Sequence, residues 1–276
     1  MDRWNSLSIA LFNAVAEESF EEGTKVPGPD QQFFLQSTEM STIDPTDSLS
    51  DLVVKRPSAA PTLDSLGLDY CCGGSQSLTA ACAEAGADLE EVVARIVASA
   101  PVEAPAEWAS LSTVELVAHI EQTHHAFLKE SLPRLDELVS KVADVHGHTH
   151  SELYAVKATF QELRRDLEPH LMKEERVLFP MVRQLYESEE TASFHCGSLQ
   201  NPIGVMLGEH DNAGELLAQL RSLTSDYVSP ADGCASYAAL YAGLAELEAD
   251  THVHIHKENS VLFPAVIERE HAISAS

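Results

Sequence analysis

Two stretches of this chain, 84 residues apart, carry the same pattern. His170, Glu174, Val177, Leu178, Phe179 and Pro180 recur as His254, Glu258, Val261, Leu262, Phe263 and Pro264. The match extends upstream to Asp166 and Asp250 and downstream to Val182 and Val266. A histidine followed four residues on by a glutamate means little once. The same pair twice, each ahead of Val-Leu-Phe-Pro, marks a duplicated helical hairpin. Residues four apart on a helix differ by about 40° in direction and about 6 Å in rise, so each His–Glu pair faces one way. A duplicated hairpin also needs a leading helix in each half. His210 lies 44 residues before His254, and His125 lies 45 before His170, with His124 as its neighbour and competitor. The chain is therefore predicted to be all-α, with a four-helix bundle pointing imidazoles and carboxylates at one buried spot.

That donor set suits a pair of metal ions. Four imidazoles, two bridging carboxylates and a bridging oxide or hydroxide fill about ten of the roughly twelve positions around two six-coordinate ions. About one position per ion stays open for a small ligand. Imidazole and carboxylate without thiolate favour iron or manganese, with zinc still open. Asp166 and Asp250 each precede a histidine of the repeat by four residues, a spacing from which they are expected to accept its second ring N–H. Glu209, beside His210, is a candidate proton-handling carboxylate. His146, His148 and His150 fall in a glycine-containing connector and read as a solvated loop. His252 and His256 point away from His254. His119, His195 and His271 have no partner pattern. Val-Leu-Phe-Pro reads as core packing with a helix bend.

Helix signals place the rest. Ser112 with Glu115 has capping-box spacing and opens the first long helix, which Pro133 bends or ends. The others run over about 151–186, 203–224 and 234–269, so the bundle occupies 108–270. Residues 46–100 read as a small helical module of four short helices, the third capped by Ser77 and ended by Gly86. Residues 1–45, rich in Gly and Pro, read as a mobile leader, and 100–105 as a linker. Leu7 to Phe12 with Ala14-Val15-Ala16 imitates a cleavage site, but no basic segment precedes it. Lys and Arg number 17 against 44 Asp and Glu, a net charge of −27. Such charge repels phosphate backbones and anionic bilayers, and no apolar run is long enough to span a membrane. No nucleic-acid or membrane partner is expected.

Five cysteines do not suit a secreted disulfide framework, so a reducing cytoplasm is expected. Cys82, Cys196 and Cys234 have no motif. Cys71 and Cys72 are adjacent, two glycines follow, and a helix opens soon after. Backbone N–H groups there are expected to favour thiolate, able to bind a soft metal or undergo redox chemistry.

The Asp69-Tyr70-Cys71-Cys72-Gly73-Gly74 segment, followed by a helical bundle with this ligand order, resembles the RIC ("repair of iron centres") family. So does the run His210-Asp211-Asn212-Ala213-Gly214-Glu215. The resemblance covers about 46–270. It implies a hemerythrin-like bundle holding two iron ions, oxo- or hydroxo-bridged, on His125, His170, Glu174, His210, His254 and Glu258. His125 is selected over His124 because it lies eight residues before Pro133. The family commonly has a Tyr ahead of that histidine, where this chain has Thr123 and His124. The resemblance further implies a stress protein that mends damaged iron–sulfur proteins, with nitric oxide or dioxygen as small ligands. Cys71 and Cys72 then serve as a redox or iron relay, and the Cys-Cys module as a route to a homodimer. The alternatives are an oxygen or iron carrier or sensor, a di-iron nitric oxide reductase or peroxidase, and a metal-free structural protein.

Overall fold

Ser112 opens the first long helix with the reciprocal contacts its spacing predicts. The Glu115 amide donates to Ser112 Oγ, and the Ser112 amide donates to Glu115 Oε2 at 2.9 Å. The structure, a computed structural model, describes residues 43–99, 107–187, 194 and 196–274. The leader as far as residue 42, the linker 100–105 and His195 lie outside the described residues.

Four short helices form the N-terminal module: α1 (Leu49–Lys55), α2 (Ala60–Ser65), α3 (Leu78–Ala85) and α4 (Leu89–Ala98). Ser48, Ser77 and Asp88 cap three of them through side-chain oxygens. Gly86 ends α3 in the left-handed conformation, φ 66°. Seven further segments follow: α5 (Thr113–Ile120), α6 (Ala126–His146), α7 (Glu152–Lys173), α8 (Phe179–Glu187), α9 (Gln200–Leu223), α10 (Ala235–Lys257) and α11 (Phe263–Ser274). They join into four long helices, because α5–α6, α7–α8 and α10–α11 run on through widened π-turns at Glu121–His125, Glu174–Leu178 and Glu258–Leu262. Pro133 lies within α6 without ending it. Among the described residues there is no β-strand, only the isolated bridges Ser48–Ser77 and Phe194–Gly197. No helix among them is long and apolar enough to cross a membrane.

The four long helices close a ring: α6 packs on α7, α7 on α9, α9 on α10, and α10 on α6. A Cβ on Gly243 would lie 2.7 Å from Leu135 Cδ2, so the α10–α6 crossing is close and a larger residue would have to displace that leucine side chain. Two apolar clusters fill the bundle. One holds Leu128, Leu171, Ala213 and Ile255 and continues into the module through Leu63, Tyr70, Leu78 and Ile96. The other, at the opposite end, holds Ile120, Leu178, Met206 and Leu262. Between these two sets lies a buried polar layer: His125 on the first long helix, His170 and Glu174 on the second, His210 on the third, and His254 and Glu258 on the fourth. The duplicated prolines fit the widened turns. Pro180 and Pro264 follow shortly after them, and a proline ring clashes with the carbonyl four residues back in a regular turn.

Candidate metal centre

All six predicted donors meet in the polar layer. Two overlapping sets could each hold a cation: His125, Glu174, His254 and Glu258; and His170, Glu174, His210 and Glu258. Within each set the ligand atoms lie within 4.8 Å of one another, and every residue is buried. Each carboxylate gives one oxygen to each set. Glu174 Oε2 is 3.3 Å from His125 Nε2, and its Oε1 is 3.4 Å from His170 Nε2. Glu258 Oε1 is 3.2 Å from His254 Nε2, and its Oε2 is 3.2 Å from His210 Nε2.

Hydrogen bonding alone does not account for these atoms. His125 Nε2, both Glu174 oxygens and Glu258 Oε2 are buried with no hydrogen-bond partner, although they stand within ion-pair distance of one another. Their ligand atoms lie close enough together to share a cation. His170 Nε2 and His210 Nε2 face each other at 3.1 Å, a spacing suited to two ligands side by side on one cation. Buried donors left without partners cost on the order of 1–3 kcal/mol each, more when charged, and a bound cation removes that cost. The residues thus fit a metal of the iron or manganese type.

The electrostatics agree. Burial works against the charged form of His170, but Glu174, Glu258 and Glu209 outweigh it and raise its pKa to about 9. His125 is raised against burial by Glu174 and Glu258. Burial would raise Glu258, yet His254 and His210 hold it well below the usual carboxylate range. Without metal, His125 and His170 therefore favour a proton where a cation would otherwise sit.

The outer partners differ from expectation. Asp166 does not meet His170; it accepts from Asn212 Nδ2 at 2.8 Å. Asp250 does not meet His254; it pairs with His124 Nδ1 at 2.8 Å. The expected spacing considered one helix alone, whereas the actual partners come mostly from neighbouring helices. Glu209 Oε2 pairs with His170 Nδ1 at 2.8 Å and also with Lys173. Glu175 Oε1 pairs with His125 Nδ1 at 2.9 Å and with Lys129 Nζ at 2.5 Å. Asn259 Oδ1 pairs with His210 Nδ1 at 2.8 Å. His254 Nδ1 has no hydrogen-bond partner; the His124 ring stacks on that of His254 instead, centroids 5.3 Å apart. Of the competing pair, His125 enters the centre. His124 turns to Asp250 and to Lys257 Nζ, 2.7 Å away, and burial lowers it to about 4.

The Cys-Cys loop lies against this centre. Asp69 gathers its backbone: Oδ1 accepts from the amides of Cys71 and Cys72 at 3.0 and 2.9 Å, and Oδ2 from that of Gly73 at 2.8 Å. A Cβ on Gly74 would sit 2.4 Å from the Tyr70 carbonyl, so the tight loop requires glycine there. The amides expected to favour thiolate are therefore engaged by a carboxylate. Cys71 is pushed up instead, by its contact with Cys72, by burial and by Asp69. The two sulfurs are 3.8 Å apart. Asp69, Cys71 and Cys72 form a third group whose ligand atoms could meet on a cation. They border a cleft of about 570 Å³ between the module and the bundle, closed by Arg221, Glu248 and His252.

Two of the remaining histidines have ordinary partners. His252 pairs with Asp64, and His256 with the Tyr70 carbonyl. His146 and His150 are less free than a solvated loop. His146 Nε2 meets Cys234 Sγ at 3.2 Å, and His150 Nε2 meets Asp232. Cys234, for which the sequence shows no motif, is lowered to about 7 by backbone N–H of Tyr237 and by His146. No sequence spacing announces that contact, which spans 88 residues. Asn259 was within reach: it occupies the repeat position of Glu175.

Comparison with known proteins agrees with the geometry. A family model described as the hemerythrin HHE cation binding domain matches residues 116–266, and one described as a domain of unknown function (DUF542) matches 45–100. A "Probable iron-sulfur cluster repair protein" of Haemophilus influenzae is 36% identical over 222 residues, 79% of this chain and 96% of that protein. The "Iron-sulfur cluster repair protein YtfE" of Escherichia coli O157:H7 is 35% identical, covering 80% of this chain and 97% of its own. That of Musicola paradisiaca is 36% identical over 225 residues, 81% of this chain and 97% of its own.

Proposed function

This chain belongs to the hemerythrin HHE cation-binding family and to the iron–sulfur cluster repair proteins, and from that premise we propose that it holds two iron ions for mending clusters damaged by oxidative or nitrosative stress. The observation that carries the reading is the sharing of Glu174 and Glu258 between both donor sets. His125 and His254 complete one iron site, and His170 and His210 the other. An oxide or hydroxide bridge would bring the count to about ten donors and would leave about one position per ion for a small ligand. When bound, the iron pair supplies exchangeable positions for a small ligand such as nitric oxide or dioxygen, and a store of iron for transfer.

The chain's own residues do the rest. Glu175, Glu209 and Asn259 each accept a ring N–H, which fixes the imidazole and turns its Nε2 lone pair inward. The apolar clusters on either side keep bulk water from the layer. Cys71 and Cys72, at the cleft, relay iron or electrons toward the damaged client protein. A relay of this kind needs thiols, which a reducing cytoplasm maintains.

The test uses the full chain purified without added metal. The expected result is two irons per chain, with absorption from an oxo or hydroxo bridge. The loaded protein should also restore a [4Fe–4S] enzyme inactivated by nitric oxide or peroxide. Cys71→Ser combined with Cys72→Ser should keep the iron and lose the restoration. Restoration unaffected by the double change would return the reading to a simple carrier. Multiple-turnover formation of nitrous oxide by the reduced protein would assign a nitric oxide reductase instead.

A further inference from the structure

The duplicated helices keep one register, so positions 84 apart face the same task. Glu175 and Asn259 are such a pair, each directly following a shared carboxylate. Both do the same first job: their oxygens accept the Nδ1–H of His125 and of His210, at 2.9 and 2.8 Å. Their second contacts differ. Glu175 turns outward to Lys129. Asn259 turns its amide to the module and donates Nδ2–H to the Cys71 carbonyl at 3.1 Å. The Cys72 thiol reaches the backbone carbonyl of His210 at 3.6 Å. The Cys-Cys loop is thus tied to His210 twice, once through the ring and once through the backbone.

Position 259 asks for an amide. A carboxylate there accepts from His210 but offers nothing to the Cys71 carbonyl, whereas an amide serves both at once. The halves of the bundle differ in chemistry at this position, and it is one of the positions at which the module meets the bundle. We infer that Asn259 is a positioning residue that couples the Cys71–Cys72 loop to the metal centre through His210. The inference rests on His210 being a metal ligand, as proposed above.

The physical route is short. Cys71 is 5% exposed, so a change at its sulfur is felt by the loop that holds it. The Cys71 carbonyl moves with the loop, Asn259 follows, and the His210 ring turns relative to its neighbours. Linkage makes the effect reciprocal: a cation that fixes His210 also fixes the loop.

The experiment compares alkylation of Cys71 and Cys72 by iodoacetamide in metal-free and iron-loaded full-length protein, without oxygen. Peptide mass spectrometry separates these sites from Cys82, Cys196 and Cys234. Iron is expected to slow alkylation by about fivefold or more, the low end of ordinary coupling between sites. In Asn259→Asp, which keeps the contact to His210, and in Asn259→Ala, the ratio should fall to within about twofold of unity. The absorption of the loaded centre should shift on Cys71→Ser with Cys72→Ser in the parent, and not when Asn259→Asp is already present. Asn259→Asp is nearly isosteric and carries the test if Asn259→Ala fails to fold. Two irons bound with equal alkylation rates, or a ratio unaltered by both substitutions, would overturn the coupling alone. A parent chain that binds no iron would overturn the dinuclear reading and the coupling with it.

Discussion

Glu174 and Glu258 each present one oxygen to either side of the donor cluster, so losing one should be felt by both ions. Glu258→Ala is expected to reduce iron from two per chain to below one. Metal analysis checks this, and two retained irons would refute the shared role. A second consequence concerns pH. In the metal-free protein, Glu174, Glu258 and Glu209 overcome burial and hold His170 at about 9, above its ordinary 6.5. Its contribution to stability is therefore complete below pH 6.5 and is lost as pH rises through 9. Melts of metal-free protein from pH 6.5 to 9.5 should show a falling Tm, and a Tm rising across that window would contradict the assignment. Loading with iron expels that proton, so iron affinity should weaken as pH falls. The donors were legible in the sequence because duplication printed the His–Glu pair twice. Their outer partners were not. Asp166 and Asp250 sit at the right spacing on the right helices, but which carboxylate meets a ring depends on the approach of adjacent helices, and Glu209 and Glu175 arrive closer.

Three of the four long helices carry a widened turn at the level of the ligands. His125 ends one such turn, and Glu174 and Glu258 begin the other two. The extra residue rotates everything beyond it, so ligands upstream and apolar residues downstream both face inward. Deleting Val177, whose side chain is 43% exposed, removes that residue from the second helix. The segment beyond should turn by about 100°, carrying Phe179, Val182 and Leu185 off the core. Several kcal/mol of stability should go with them, by the cost of withdrawing large side chains from a core. Urea unfolding checks this, and an unchanged midpoint with full iron would refute it. A second joint links α9 to α10: Arg221 grips Glu248, only 2% exposed, at 3.1 and 2.5 Å. Arg221→Met strands that carboxylate and should cost about 3 kcal/mol. Adding Glu248→Gln should recover much of the loss; if the double variant is no better than the single, the ion pair is not what the arginine supplies. Caps and ends at this scale were plain from sequence, as with Ser112, Ser77 and Gly86. The widened turns were not, since one extra residue hardly disturbs a hydrophobic period read over a few turns.

At the scale of the whole molecule, a chain of net charge −27 carries a donor cluster that could hold cations. Acidic composition argues against nucleic acid and anionic bilayers as partners, and it also makes a positive prediction. A surface of excess carboxylate raises the local concentration of divalent cations and steers them, and salt screens that attraction over a length of about 30 Å at 10 mM and less than about 10 Å at 300 mM. Loading of metal-free protein with ferrous ion should therefore slow several-fold between those ionic strengths, as steered association does. The control is internal to the chemistry. Nitric oxide carries no charge, so its binding rate to the loaded protein should not move over the same range. Stopped-flow absorption measures both rates on one preparation. A ferrous loading rate indifferent to salt would show that uptake is limited inside the bundle, by opening of the buried layer, and not by the field outside it. Equal slowing of both rates would point to a salt effect on the fold itself. Only the split, cation slowed and neutral ligand not, assigns the acidic surface a part in gathering iron.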